Sequence, residues 1–380
     1  MLLLAIAVQF QATVATQAHP SFDAAYSGRN SMQPGAESAT SVVSDLLLSQ
    51  DLWPGAQVQL EPELSGGRGL SQTLGVAAFP SGEVYRVGEV APGVHLARVS
   101  LQQKAGELTI TAGRIAVTDF VDSVPLSNDP HTRFMSWGLW ASAAYDYPAD
   151  TRGYTWGVAA DYTRGDWSGR LGAFLEPKTA NGLDLEWNVT RARGLVAEGE
   201  RRFEHGAVRA LAFLNTADMG SYDQAVQMSA PDVTATRAQG RTKYGFAASA
   251  NCDCGGFVRA SWNDGANETW AFTEIDRSLA AGFVQPGARW GREQDEAGAG
   301  VVISGLSHQH RRYLESGGYG FLIGDGALHY APEILAEVWY RAALTKEVSF
   351  AGHYQPIINP GFNRDRGPIH VFTGMVHVAF

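Results

Sequence analysis

Nowhere does this 380-residue chain reach the ~18 consecutive apolar residues that a transmembrane helix needs, although 45% of its residues are hydrophobic. Its mean hydropathy is slightly negative, at -0.14. A helical membrane protein is thereby excluded, whereas a membrane β-barrel is not. Charged residues are scarce at 18%, and the formal net charge is -10. That balance excludes a broad basic surface for nucleic acid. Two cysteines, Cys252 and Cys254, are too few for a disulfide framework or a zinc site and read as an inert turn pair, over a metal pair or a small disulfide. His308 and His310, beside Arg311 and Arg312, read as exposed loop residues rather than as a metal or anion site. No H-E-x-x-H or G-x-S-x-G occurs, and the glycines around 298–300 and 318–320 lack a nucleotide-loop setting. No cofactor, metal or enzyme chemistry is therefore expected.

What is plentiful is glycine, with 43 residues, and aromatics, at 11%. Both suit many short strands joined by turns. Over 369–380 one side of an extended segment carries Phe372, Gly374, Val376, Val378 and Phe380, while the other carries Thr373, Met375, His377 and Ala379. That is a period of two. Ala56, Val58, Leu60, Pro62 and Leu64 likewise alternate with Gln57, Gln59, Glu61 and Glu63. Tyr154, Trp156, Val158, Ala160 and Tyr162 form an apolar face with aromatics at both ends, as an interfacial girdle requires. The last strand of a soluble sandwich would alternate in the same way. Residues 42–48 fit a strand or a helix, and the facing of 208–215 is unsettled.

Counting such segments gives about sixteen strands, with eighteen as the alternative. Short turns, as at 164–166 and 204–206, take turns with long connections, as at 66–93 and 115–153. A soluble sandwich has no reason to segregate its loops in this way, whereas an outer-membrane barrel does. The fold expected is an all-β, transmembrane, antiparallel up-and-down β-barrel with long external loops. Alternation places Glu61, Glu63, Arg98, Asp161, Arg170, Glu198, Glu200, Arg202, Arg259, Glu337 and Arg341 on its inner face.

Several runs are more specific. Asn359-Pro360-Gly361-Phe362-Asn363-Arg364-Asp365-Arg366-Gly367-Pro368-Ile369-His370-Val371-Phe372 resembles the ending of the OprB-like carbohydrate-selective porins. So do 144–157 around Tyr145-Asp146-Tyr147-Pro148, 74–85 around Phe79-Pro80-Ser81-Gly82, and Ile323-Gly324-Asp325-Gly326 with Tyr330-Ala331-Pro332-Glu333. The resemblance implies a bacterial outer-membrane channel passing small sugars, glucose above all, by diffusion through a water-filled pore. It also implies a charged constriction, for which the matching positions are a loop folded into the pore, with Asp119, Asp122, Asp129, Arg133, Asp146 and Arg152, facing Glu61 and Glu63. Phe380 becomes the assembly signal. Expected partners are sugars in transit, outer-membrane lipids, the assembly machinery and, as one association state, a homotrimer. Residues 1–7 read as the remnant of a signal peptide before a single domain over 8–380. A porin for inorganic ions or acidic oligosaccharides is the alternative function, with an outer-membrane barrel enzyme behind it.

Overall fold

Alternation of apolar and polar side chains builds sixteen antiparallel strands, which close on themselves in the computed structural model. It describes residues 6–84 and 91–380. Residues 1–5, within the stretch expected to be a leader remnant, and Tyr85 of the early motif lie outside the described residues. In chain order the first half of the wall is β1 (Ala7–His19), β2 (Glu37–Trp53), β3 (Ala56–Gly67), β4 (Gly93–Ala105), β5 (Leu108–Ile115), β6 (Thr155–Arg164), β7 (Trp167–Phe174) and β8 (Arg193–Phe203). The second half is β9 (Gly206–Ala217), β10 (Arg241–Cys252), β11 (Gly256–Asn263), β12 (Arg277–Pro286), β13 (Glu296–Gly305), β14 (Glu333–Ala343), β15 (Val348–Ile358) and β16 (Ile369–Ala379). Each strand pairs its neighbours in sequence, and β1 pairs β16 from Gln11 opposite Ala379 to Ala18 opposite Phe372. No strand edge is left for another chain to extend. Residues 42–48, open between helix and strand, lie in β2.

Connections segregate by rim. The short ones lie at 54–55, 106–107, 165–166, 204–205, 253–255, 287–295 and 344–347; the long ones at 20–36, 68–92, 116–154, 175–192, 218–240, 264–276, 306–332 and 359–368. On the outer face Val158, Leu171, Phe246, Leu279, Val338 and Phe372 are exposed. Trp53, Tyr162, Trp167, Phe203 and Trp290 ring the short-turn rim, as a lipid interface favours. Tyr154 corrects the expected girdle. It precedes β6, is buried, and donates its hydroxyl to Glu63 Oε2 at 2.6 Å.

Loops fill much of the long-loop half of the lumen. Loop 116–154 enters it with Phe134, Trp137, Leu139, Tyr145 and Tyr147 buried. Loop 264–276 adds buried Trp270, Phe272 and Ile275. Trp137 stacks on Phe79 at 5.7 Å and on Phe272 at 5.8 Å, and Tyr147 stacks on Phe272 at 4.6 Å. Inward-facing Phe213, Phe257, Val302, Leu335 and Trp339 complete this core. These inner-wall residues are apolar where loop side chains pack on them, and each buried large side chain gains ~1.5–3 kcal/mol by leaving water.

Two smaller expectations are also revised. His310 is fully buried in the helix His308–Glu315, stacked on Tyr222, with Nδ1 3.0 Å from Asp276 Oδ2; only His308 is exposed. Cys252 and Cys254 are joined in a disulfide across the 253–255 turn, so they are not an inert thiol pair.

Candidate functional site

Irregular backbone inside a barrel has no ladder partner, so its N–H groups need other acceptors. Inward carboxylates supply them. Glu337 accepts from Met135 N at 2.8 Å and Ser136 N at 3.0 Å, with His353 Nδ1 at 2.9 Å. Asp146 accepts from the backbone of Trp270, Ala271 and Phe272 at 2.8, 2.9 and 3.2 Å. Asp122 accepts from Ser142 N and Oγ, both at 2.6 Å, and from Arg259 Nη1 at 2.7 Å. Glu333 holds Ala77 N, Ala78 N and Gly361 N at 2.9, 2.6 and 2.7 Å. On loop 264–276, Glu274 binds Leu322 N and Ile323 N, each at 2.7 Å, and burial pushes its carboxyl above the usual range.

Nearer the short turns the carboxylates meet arginines instead. Arg98 Nη1 lies 2.5 Å from Glu61 Oε1, and its Nε and Nη2 reach Asp119 at 2.7 and 2.9 Å. The β3–β4 register shifts between Glu61 and Pro62, where proline has no N–H for the ladder, and leaves Glu61 opposite Arg98. Three strands further round the wall, on β7, Arg170 bridges Asp161 at 2.7 Å, Glu198 at 2.6 Å and Glu200 at 2.9 Å. Glu200 also takes Arg202 at 2.8 Å and Arg209 at 3.2 Å. A belt of both signs results, in which Arg98 and Arg170 are each met by two or more carboxylate oxygens while Arg202 and Arg209 share Glu200.

Two cavities open at this belt. One, of about 830 Å³, is bordered by Asp119, Phe120, Asp161, Arg170, Glu200, Arg202 and Arg209. The other, of about 750 Å³, is bordered by Gln11, Asp45, Gln59, Glu61, Arg98, Asp119 and Phe120. Gln102, Thr111, Asp119 and Phe120 border both, so the start of the inserted loop stands between them.

A wall of closed strands, an inserted loop and a two-signed belt beside water-sized space is what a solute channel needs. The family model of the carbohydrate-selective porins, OprB family, matches residues 30–380. The chain belongs to the OprB family. It is a sugar-selective porin of the bacterial outer membrane, a channel rather than an enzyme. A high-pH structure of Pseudomonas putida OprB is similar over 99% of this chain and 94% of that one, with 18% identity and a TM-score of 0.78. Vibrio cholerae OmpT, folded in vitro and described as a trimer form, matches at 11% identity and a TM-score of 0.52, over 99% of this chain and 100% of that one. An OmpT variant lacking loop L8 matches at a TM-score of 0.53 with 11% identity, again over 99% and 100%. These solved structures share the fold. No curated protein matches the chain.

Of the residues singled out from the sequence, Glu61, Arg98, Asp119, Asp161, Arg170, Glu200 and Arg202 border the cavities of this OprB-family porin. Glu198 lies just behind, holding Arg170 and Asp122 N. Glu63, Asp122, Asp146, Arg152, Arg259 and Glu337 are buried at the inserted loops, away from both cavities. Arg133 and Arg341 converge on Glu296, at 3.1 and 3.2 Å, while Asp129 closes its own turn onto His131 N at 3.0 Å. Phe380 is exposed at the seam, where its N–H and carbonyl exchange hydrogen bonds with Phe10 at 2.9 and 2.8 Å. Sequence reasoning missed Arg209, Phe120, Asp45, Glu296 and Glu333. Arg209 could have been found from pairing, since an inward Glu200 has Arg209 as its register partner.

Proposed function

We propose that the selective constriction of this porin is the belt formed by Glu61, Arg98 and Asp119 on one side and Asp161, Arg170, Glu200 and Arg209 on the other, with Phe120 between them. The observation that carries this reading is the position of Asp119 and Phe120, on the inserted loop, at the border of both cavities. Ion-paired groups of both signs offer a passing hexose hydrogen bonds with little net charge to hold it, and the Phe120 ring offers a face to its C–H surface. Weak, multiple contacts of this kind let a solute enter and leave. Glucose and similarly small neutral sugars fit this chemistry. Phe380, at the chain's exposed aromatic end, is proposed as the group read by the assembly machinery. Association into trimers is likewise proposed, on the precedent of the OmpT trimer form.

Liposome swelling tests the function. Barrels reconstituted from purified protein should admit glucose at a rate that falls with the size of the sugar. A reconstituted barrel that conducts salt but admits no glucose would remove the substrate assignment.

A further inference from the structure

The disulfide Cys252–Cys254 closes over a single intervening residue, in the 253–255 turn between β10 and β11. Short turns of an outer-membrane barrel face the periplasm, an oxidising compartment in which such a bond persists. Backbone hydrogen bonds close the turn without it. Gly255 N donates to Cys252 O at 3.0 Å, Asp253 N to His205 O at 3.1 Å and Val284 N to Gly255 O at 2.9 Å. Asn251 pairs with Phe257 across the same hairpin. The wall therefore keeps its ladder whether or not the sulfurs are joined.

The bond is also open to reagents in solution. Cys254 and Asp253 are exposed, and Cys252 is half-buried. Gly256 stands beside both sulfurs with no side chain to cover them: a Cβ there would lie 3.4 Å from Cys252 Sγ and 3.6 Å from Cys254 Sγ. Cys252 Sγ lies 3.6 Å from Gly256 O, within reach of a thiol donor. A reduced Cys252 thus finds an acceptor where it already stands. Exposed disulfides are the labile ones in exchange, whereas structural ones resist the glutathione pool.

We propose that Cys252–Cys254 is a thiol–disulfide exchange site on the periplasmic rim, and that its reactant is a dithiol. An incoming thiolate attacks Cys254 Sγ, the more open of the two sulfurs. Its electron pair forms the new S–S bond, while the Cys252–Cys254 bond breaks and its pair goes to Cys252 Sγ. That sulfur takes a proton from water and donates a hydrogen bond to Gly256 O. The reactant's second thiolate then attacks its own sulfur in the mixed disulfide and releases Cys254, which is protonated in turn. Two electrons and two protons pass to the cysteines, and the dithiol leaves as a disulfide.

The test uses the whole barrel in detergent, its fold confirmed by circular dichroism, with glutathione and dithiothreitol as monothiol and dithiol probes. In about 5 mM reduced and about 0.05 mM oxidised glutathione, roughly half of the bond or more should open, read as the mass gained on thiol alkylation. A bond still closed in roughly nine-tenths of the folded barrels would overturn the site. At equal thiol concentration dithiothreitol should complete the opening about tenfold faster, because its second thiol resolves the mixed disulfide within one molecule. Equal rates would overturn the dithiol as reactant. Cys252→Ser, which leaves Cys254, should react with oxidised glutathione about tenfold faster than Cys254→Ser, and equal or reversed rates would overturn the order of attack. The double variant with Cys252→Ser and Cys254→Ser should assemble and conduct as wild type does. Failure to assemble would make the bond structural and remove the site.

Discussion

The two halves of the lumen use the same acidic residue types, Asp and Glu, for different work. In the long-loop half Glu337, Asp146 and Asp122 are buried and bind backbone N–H groups. In the short-turn half Glu61, Asp161 and Glu200 bind arginines beside open cavities. Glu61 and Glu63 make the contrast within one strand: both point inward, but Glu63 is fully buried against Tyr154, whereas Glu61 borders the cavity and holds Arg98. Residue type and facing are therefore not enough to assign an inward carboxylate. Its depth along the strand decides, because depth determines whether irregular backbone or water comes to meet it.

The comparison breaks most visibly at an anchor. Glu337→Leu should leave the Met135 and Ser136 N–H groups without their acceptor, costing ~3–5 kcal/mol as expected for disrupting a buried charged hydrogen-bond set. Loop 116–154 should then become open to limited proteolysis and single-channel conductance should rise. Protection equal to wild type would refute the anchoring role. A smaller effect is expected in the wet half. Arg170→Ala strips a shared partner from Asp161, Glu198 and Glu200, and should lower stability by ~2 kcal/mol, less than a fully dry pair because this site borders water. Reversal potentials in asymmetric salt should shift towards cation preference, with loop 116–154 still protected; an unshifted potential would separate the belt from ion selectivity.

The smallest effect lies outside both halves, in the 287–295 turn. Hydrogen bonds from Arg292 and the Tyr340 hydroxyl hold the Asp295 carboxyl down at about 2, and it also accepts from Ala343 N at 3.0 Å. A carboxyl depressed in the folded state stabilises above its ordinary value near 3.8 and loses that contribution as pH falls towards about 2. Exchange protection of the Ala343 amide should therefore fall across that window in wild type and be flat in Asp295→Asn. Identical profiles would detach the turn from Asp295.

Strand number was legible from the sequence because lipid demands an apolar residue at every second position whatever lies inside. The inner face was legible where it keeps polar side chains, whether wet, as at Arg170, or buried, as at Glu337 and Arg259. Within β9 inward Leu211 and Phe213 alternate with outward Ala210, Ala212 and Leu214, so over 210–214 both faces are apolar and period-two reasoning has nothing to distinguish. The same cause left residues 42–48 open, since inward Val43 and outward Val42 are alike. Tyr154 misled for the complementary reason: an aromatic beside a strand can serve the girdle or a buried carboxylate, and only the position of Glu63 chooses. The belt was partly visible because Arg98, Asp161, Arg170 and Glu200 keep their polarity on a wet face.

The seam between β1 and β16 has a kinetic consequence. Pairing Gln11 with Ala379 closes a loop that includes nearly the whole chain. Loop-closure entropy grows slowly, by only ~0.6 kcal/mol per doubling of length, so the seam need not be weak once made. It must nevertheless wait, since contacts between distant segments form late in proteins of high contact order. Until that moment the nascent sheet has two raw edges, each able to pair with another unfinished copy. Closure is thus the step that converts an aggregation-prone sheet into a channel.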